Sequence, residues 1–148
     1  DAKRAIMQRR GFEAMGRLVA AEAERLGATA VGGMTMGADP IACSALSGGA
    51  DVKAFFVRKE PKDHGAGKQI EGPPMQPGER CLMVEDVVTT GGSTLKAIEV
   101  VRAAGFEVVG VVGICDRLSG GREAFESAGA PFTALTTIDE VHPDRDDR

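Results

Sequence analysis

The chain has 148 residues, of which 18 are Lys or Arg and 22 are Asp or Glu, giving a net charge of −4 with 43% apolar and 27% charged residues. One domain with a core of ordinary size is expected from such a length and composition, and the acidic balance argues against a nucleic-acid partner, which a basic surface would attract. No apolar run approaches the about 20 residues of a membrane-spanning helix, no signal-peptide pattern is seen, and the absence of Trp and Tyr removes the usual platforms for stacked bases.

Gly11 to Leu26 places Phe12, Met15, Leu18, Val19, Ala23 and Leu26 at helical spacing, with Gly27 positioned to end the helix. Thr29 to Gly33 reads as a short strand. Ala38 to Leu46 is expected to be a second helix, with Asp39 near its start and Pro40 in the tolerated first turn. Val52 to Val57 is a strand whose aromatic pair Phe55-Phe56 suits a covered sheet. Residues 58–72 combine charges with three glycines and lack apolar periodicity, so they are expected to form a long exposed loop, and long loops in compact domains usually have a function. Pro73 to Arg80 is a turn-rich connector to a central apolar strand at Leu82, Met83 and Val84. A helix from Ser93 to Ala104 follows, then a strand from Val108 to Cys115, a helix from Ser119 to Ala128, a strand from Phe132 to Leu135 and a helical turn from Thr137 to Val141. Residues 1–142 thus read as a single domain and 143–148 as a solvated polar tail. The alternation of strands and helices without internal repeat implies an α/β fold, a parallel sheet with helices on both faces.

Cys43, Cys81 and Cys115 stand singly in apolar segments without metal-ligand spacing, and read as buried thiols of a reducing cytoplasm. Gly65-Ala66-Gly67-Lys68 is not a nucleoside-triphosphate loop: Gln69 stands where Ser or Thr is needed, residue 62 is not glycine, and no strand leads directly into it.

The densest chemistry lies in Cys81 to Thr94. Glu85 and Asp86 are expected at the carboxyl end of the central strand, where open α/β sheets bind ligands, and acceptor-only carboxylates there can take hydrogen bonds from two neighbouring sugar hydroxyls. Alternation along the strand turns the two acids to different sides. From Thr89 to Thr94, hydroxyls and unpaired amides at a helix N-terminus make a site for a phosphate dianion, and Gly91 and Gly92 let the backbone approach it. The plainer possibility is a strand end followed by a helix cap. Gly32 to Asp39 is a second glycine-rich turn from strand to helix whose amides could cradle a diphosphate. Arg117 follows a strand end; its planar fork suits a carboxylate or a pyrimidine carbonyl, and a surface salt bridge with Asp116 or Glu123 is the alternative.

Cys81 to Thr94 resembles the 5-phosphoribosyl 1-diphosphate motif of the type I phosphoribosyltransferases. Two further segments, Phe55 to Gly72 and Cys115-Asp116-Arg117, narrow the likeness to the orotate phosphoribosyltransferases, over nearly the whole chain. The resemblance implies the type I phosphoribosyltransferase fold, with a flexible catalytic loop. It also implies a hood segment over the base that is largely missing from this chain, Asp1 matching the position just after it. The implied reaction is Mg2+-dependent transfer of 5-phosphoribosyl to orotate, giving orotidine 5'-phosphate and diphosphate in pyrimidine biosynthesis.

The resemblance also implies roles. Glu85, Asp86, Val87, Val88, Thr89, Thr90, Gly91, Gly92 and Ser93 would bind the phosphoribosyl group, and Thr35, Met36 and Gly37 the diphosphate, in a loop where related enzymes hold a strained peptide bond. Met36 stands where some relatives have lysine. Arg58, Lys59, Lys62 and His64 would hold the diphosphate, some reaching a neighbouring subunit of a homodimer, with Lys62, His64 and Asp86 as the catalytic set. Thr89 and Arg117 would bind orotate. No dedicated protein metal site is expected, Mg2+ arriving mainly on substrate phosphates. A purine or other pyrimidine phosphoribosyltransferase, or a regulatory module that binds the phosphoribosyl group without chemistry, are the alternatives.

Overall fold

The computed structural model describes residues 1–62 and 68–146. Strands β1 (Ala30–Met34), β2 (Lys53–Val57), β3 (Ile70–Glu71), β4 (Arg80–Val88), β5 (Glu107–Asp116) and β6 (Phe132–Thr137) form one sheet in the order β3-β2-β1-β4-β5-β6. Neighbouring strands run parallel except β3, which pairs antiparallel with β2. The expected parallel sheet is therefore present, with one antiparallel strand at its edge.

Alternation on β4 explains why both faces are covered. Cys81 and Met83 join a core with Ala97, Ile98 and Val101 of helix α4 (Gly92–Ala103) and Phe125 of α5 (Gly121–Ser127). Leu82 and Val84 face the other way, into a core with Met15, Val19 and Ala23 of α2 (Arg9–Arg25) and Ile41, Ala42 and Ala45 of α3 (Asp39–Ser47). Leu82 and Met83 are fully buried, and burying a side chain of this size contributes roughly 1.5–3 kcal/mol. The run of apolar residues in β4 is what a strand covered on both faces requires.

Several boundaries differ from the sequence reading. A short α1 (Lys3–Ile6) precedes α2 and plants Ile6 in the second core; one helical turn has no period to read. The stretch 58–72 is not all loop, because Ile70 and Glu71 add β3 to the sheet edge. The central strand continues through Glu85 and Asp86 to Val88, since β5 pairs with it as far as Val88↔Asp116. The helix expected from Ser119 begins at Gly121, after Gly120 has turned the chain at φ 97°. Cys81 is buried, its thiol pushed up to about 12 by burial, but Cys43 and Cys115 are only half-buried. The polar tail folds back in part: Arg145 pairs with Asp139 of α6 (Ile138–Val141).

The connector between β3 and β4 is anchored by one carboxylate. Glu79 is 9% exposed and accepts from Lys53 Nζ at 2.5 Å and from the Gln76 amide at 3.0 Å, while Lys53 also donates to the Pro74 carbonyl at 2.9 Å. The Lys53 hydrogen bond, then the Gln76 amide, hold the Glu79 carboxyl down at about 2. Glu79→Gln should lower the unfolding free energy at neutral pH by about 1–3 kcal/mol. Because the folded value lies below the unfolded 4.5, this advantage is complete above 4.5 and disappears as the pH falls towards 2. Urea unfolding of both proteins at neutral and acid pH checks it; equal stability at neutral pH would contradict the anchor.

Candidate functional site

The chain leaves two adjacent strands in opposite directions. After β1 it passes through α3 on one face to reach β2; after β4 it passes through α4 on the other face to reach β5. The loops at 35–38 and 89–91 therefore open on a crevice at the carboxyl edge of the sheet, the place where open α/β sheets bind ligands.

Glu85 and Asp86 take opposite sides of β4, as alternation requires. Glu85 turns towards α4: Thr94 Oγ1 donates to Oε2 at 3.1 Å and the Asp86 amide to Oε1 at 3.1 Å. Burial, then the adjacent Asp86, push the Glu85 carboxyl up to about 7 against the opposing pull of Thr94 and the amide. Asp86 turns towards the β1–α3 loop. A Cβ at Gly37 would lie 2.7 Å from Asp86 Oδ1, so only glycine lets that loop close on the acid. Lys3 Nζ stands 3.8 Å from Asp86 Oδ2.

In the β1–α3 loop the Thr35 amide donates to the Val57 carbonyl at 2.9 Å and the Thr35 hydroxyl to Asp39 Oδ2 at 2.5 Å. The peptide between Thr35 and Met36 is cis, and the Met36 side chain is exposed. Burial raises the Asp39 carboxyl, with the Thr35 bond opposing. Across the crevice Thr89, Thr90, Gly92 and Ser93 are exposed, while Gly91 turns the chain at φ 88° against Phe125. Among the described residues no side chain caps α4, so its first-turn amides are left for an anion. Val88 points into the core, and its carbonyl accepts the Arg117 amide at 2.9 Å. That bond seats Arg117, whose side chain is exposed, at the end of β5 beside Thr89.

The basic segment leaves β2 at the same edge. Its stem is clasped where the Arg58 amide donates to the Gln69 carbonyl at 2.7 Å and Gln69 Nε2 returns a bond to the Arg58 carbonyl at 3.0 Å. Lys59, Lys62 and Lys68 are exposed, and Lys62 pairs with Glu71 at 2.7 Å. His64 lies outside the described residues. A cavity of about 870 Å³ lies behind the stem of this segment, between Lys68, Gln69, Pro73, Met75 and the end of α4 at Val100 and Ala103.

Residues 24–128 match the phosphoribosyl transferase domain family. The orotate phosphoribosyltransferase of Rhodopirellula baltica is 50% identical over 148 aligned residues, covering 93% of this chain and 76% of that protein. The chain belongs to the orotate phosphoribosyltransferase family. Among solved orotate phosphoribosyltransferases, that of Mycobacterium tuberculosis H37Rv in complex with Fe(III) dicitrate has a TM-score of 0.88 and 38% identity, covering 96% of this chain and 81% of that one. The Mycobacterium tuberculosis enzyme in complex with 5-phospho-alpha-D-ribosyl 1-diphosphate has a TM-score of 0.85 and 36% identity, over 95% and 81% of the two chains. The domain match runs from the end of α2 to the end of α5 and takes in both crevice loops.

The fold thus brings together Thr35, Met36, Gly37, Asp86 and Thr89 to Ser93, with Arg117 beside them. It turns Thr94 away from them: that hydroxyl, read from sequence as part of the anion site, is buried on Glu85. Two acids near the site escaped the sequence reading as side-chain partners, Asp39 behind Thr35 and Glu71 beside Lys62, because pairing across a loop leaves no spacing signal. Since the folded Glu85 holds a proton that the unfolded one has lost, stability should fall as the pH rises from about 4.5 to about 7. Glu85→Gln should flatten that fall, by on the order of 2 kcal/mol. Urea unfolding across the window tests it, and parallel curves for the two proteins would exclude the buried carboxyl.

Proposed function

We propose that the crevice between β1 and β4 binds 5-phosphoribosyl 1-diphosphate and that the chain transfers its phosphoribosyl group to orotate. The observation that carries this reading is the closure of Gly37 on Asp86, which brings the β1–α3 loop and that acid together beside the N-terminus of α4. Membership of the orotate phosphoribosyltransferases selects the base.

Thr89, Thr90, Gly91, Gly92 and Ser93, with the backbone of Val87 and Val88 leading into them, hold the 5'-phosphate at the start of α4. Asp86 accepts from a ribose hydroxyl. Glu85 is the inner acid; its bonds to Thr94 and the Asp86 amide fix the strand end, and its remaining acceptor capacity serves the second hydroxyl. Thr35, Met36 and Gly37 cradle the diphosphate through backbone amides. Arg58, Lys59 and Lys62, with His64 from outside the described residues, supply cations to the leaving group. Arg117 and Thr89 hold orotate, the guanidinium matching its carboxylate.

In the reaction a ring nitrogen of orotate forms the new bond to ribose C1, the C1–O bond to diphosphate breaks, and diphosphate departs with that electron pair while the ring nitrogen loses its proton. No protein nucleophile enters, so positioning and charge stabilisation supply the rate.

Among the described residues no three His, Cys, Asp or Glu side chains converge as a metal cage. One partly exposed carboxylate, Asp86, fits a magnesium ion carried on substrate phosphates. When bound, that ion would neutralise diphosphate charge. We also read the enzyme as a cytoplasmic homodimer whose basic loops are shared between sites, with residues 1–142 as the catalytic domain. The departure of the basic segment from the carboxyl edge of the sheet supports this reading.

Loss of orotate absorbance with Mg2+ and the ribosyl donor tests the activity, and no consumption by folded protein would refute it. Arg117→Ala should raise the KM for orotate roughly tenfold and change that for the donor little; equal changes would remove Arg117 from the base. Lys62→Ala should cut turnover on the order of a hundredfold with an unchanged unfolding midpoint, and normal turnover would refute the loop's role.

A further inference from the structure

Arg58 and Lys62 are not held apart from other charges. Glu71, on the edge strand β3, is 2.7 Å from Lys62 Nζ and 3.6 Å from Arg58 Nη1 through the same Oε1 atom. The shared Oε1 atom is covered by its two partners, but the three side chains are 38–45% exposed, so each can turn to water when the contact opens and the pairs are weak enough to exchange. The Glu71 backbone is fixed, because its pairing with Phe56 ties β3 to β2. The Arg58 backbone is fixed as well, by the two bonds to Gln69. Only the long side chains are free to change partner.

On the reading given above, these same two cations bind the diphosphate, and we infer that Glu71 is a counter-ion that occupies Arg58 and Lys62 whenever the diphosphate does not. Lys62, Arg58 and Lys68 together hold the Glu71 carboxyl below its ordinary range, as a carboxylate serving this cluster requires. A diphosphate carries more charge than one carboxylate and displaces it. A ligand that binds only the released cations is weakened in proportion to the fraction already released. Glu71 therefore loosens the diphosphate in both directions of the reaction: it lowers affinity for the donor and speeds departure of the product. Glu71 is a positioning residue, acting through Arg58 and Lys62 without touching the ligand.

Titration of the chain with inorganic diphosphate and Mg2+ in a calorimeter tests this without relying on turnover. Glu71→Gln should tighten binding by about two- to fivefold, the range a weak exposed pair allows. Glu60→Gln, which removes the same charge from the same loop, should leave the affinity unchanged. In a Lys62→Ala background the gain from Glu71→Gln should shrink. Unchanged or weaker binding by Glu71→Gln, with an unfolding midpoint equal to wild type, overturns the inference and leaves the loop reading standing if Lys62→Ala still binds poorly. Equal tightening by Glu60→Gln also overturns it, as a general charge effect. If Lys62→Ala binds diphosphate as well as wild type, the loop reading fails and the counter-ion inference fails with it.

Discussion

The opposite departure of the chain from β1 and β4 is the constraint on which the rest of this molecule depends. Two parallel strands lie side by side, yet α3 packs on one face of the sheet and α4 on the other, so the carboxyl edge between them stays open. The opening gathers a loop from each strand, and the backbone of one loop rests on a side chain of the other where Gly37 meets Asp86. Both apolar cores serve this arrangement. Leu82 and Val84 lock β4 to α2 and α3, Cys81 and Met83 lock it to α4, and the two acids that follow inherit fixed and opposite orientations.

Charge is distributed to match. In an acidic protein four cations, Arg58, Lys59, Lys62 and Lys68, gather in the segment that leaves β2, and Glu71 on β3 pairs with Lys62 and Arg58. The two carboxyls of β4 lie in different surroundings although they are neighbours in sequence. Glu85 is withdrawn from water and has its charge disfavoured, whereas Asp86 remains partly open at the crevice. Burial, then the adjacent Asp86, disfavours the charged form of Glu85.

Asp39 shows how the site is braced from behind. Heading α3, its carboxylate sits where the helix dipole favours negative charge, and it takes the hydroxyl of Thr35 in the loop that closes on Asp86. Arg117 is braced differently, by a backbone bond to Val88 that carries the β4–β5 ladder one step past the last paired residues.

The sequence by itself determined the order of strands and helices, the covered character of β4, and the chemistry of Glu85, Asp86 and the hydroxyl-glycine turn after them. These are local properties: apolar runs, side-chain alternation and turn residues act over a few positions, and their pattern survives in one dimension. Only the tertiary structure decided that β4 runs on to Val88, that Ile70 and Glu71 extend the sheet, that Thr94 serves Glu85 and not the crevice, and that Lys62 rests on Glu71. Each of those outcomes is set by a partner distant in sequence or by which face a side chain meets after packing. Such pairings are chosen by the free energy of the assembled sheet and its two cores, which no short stretch of chain contains.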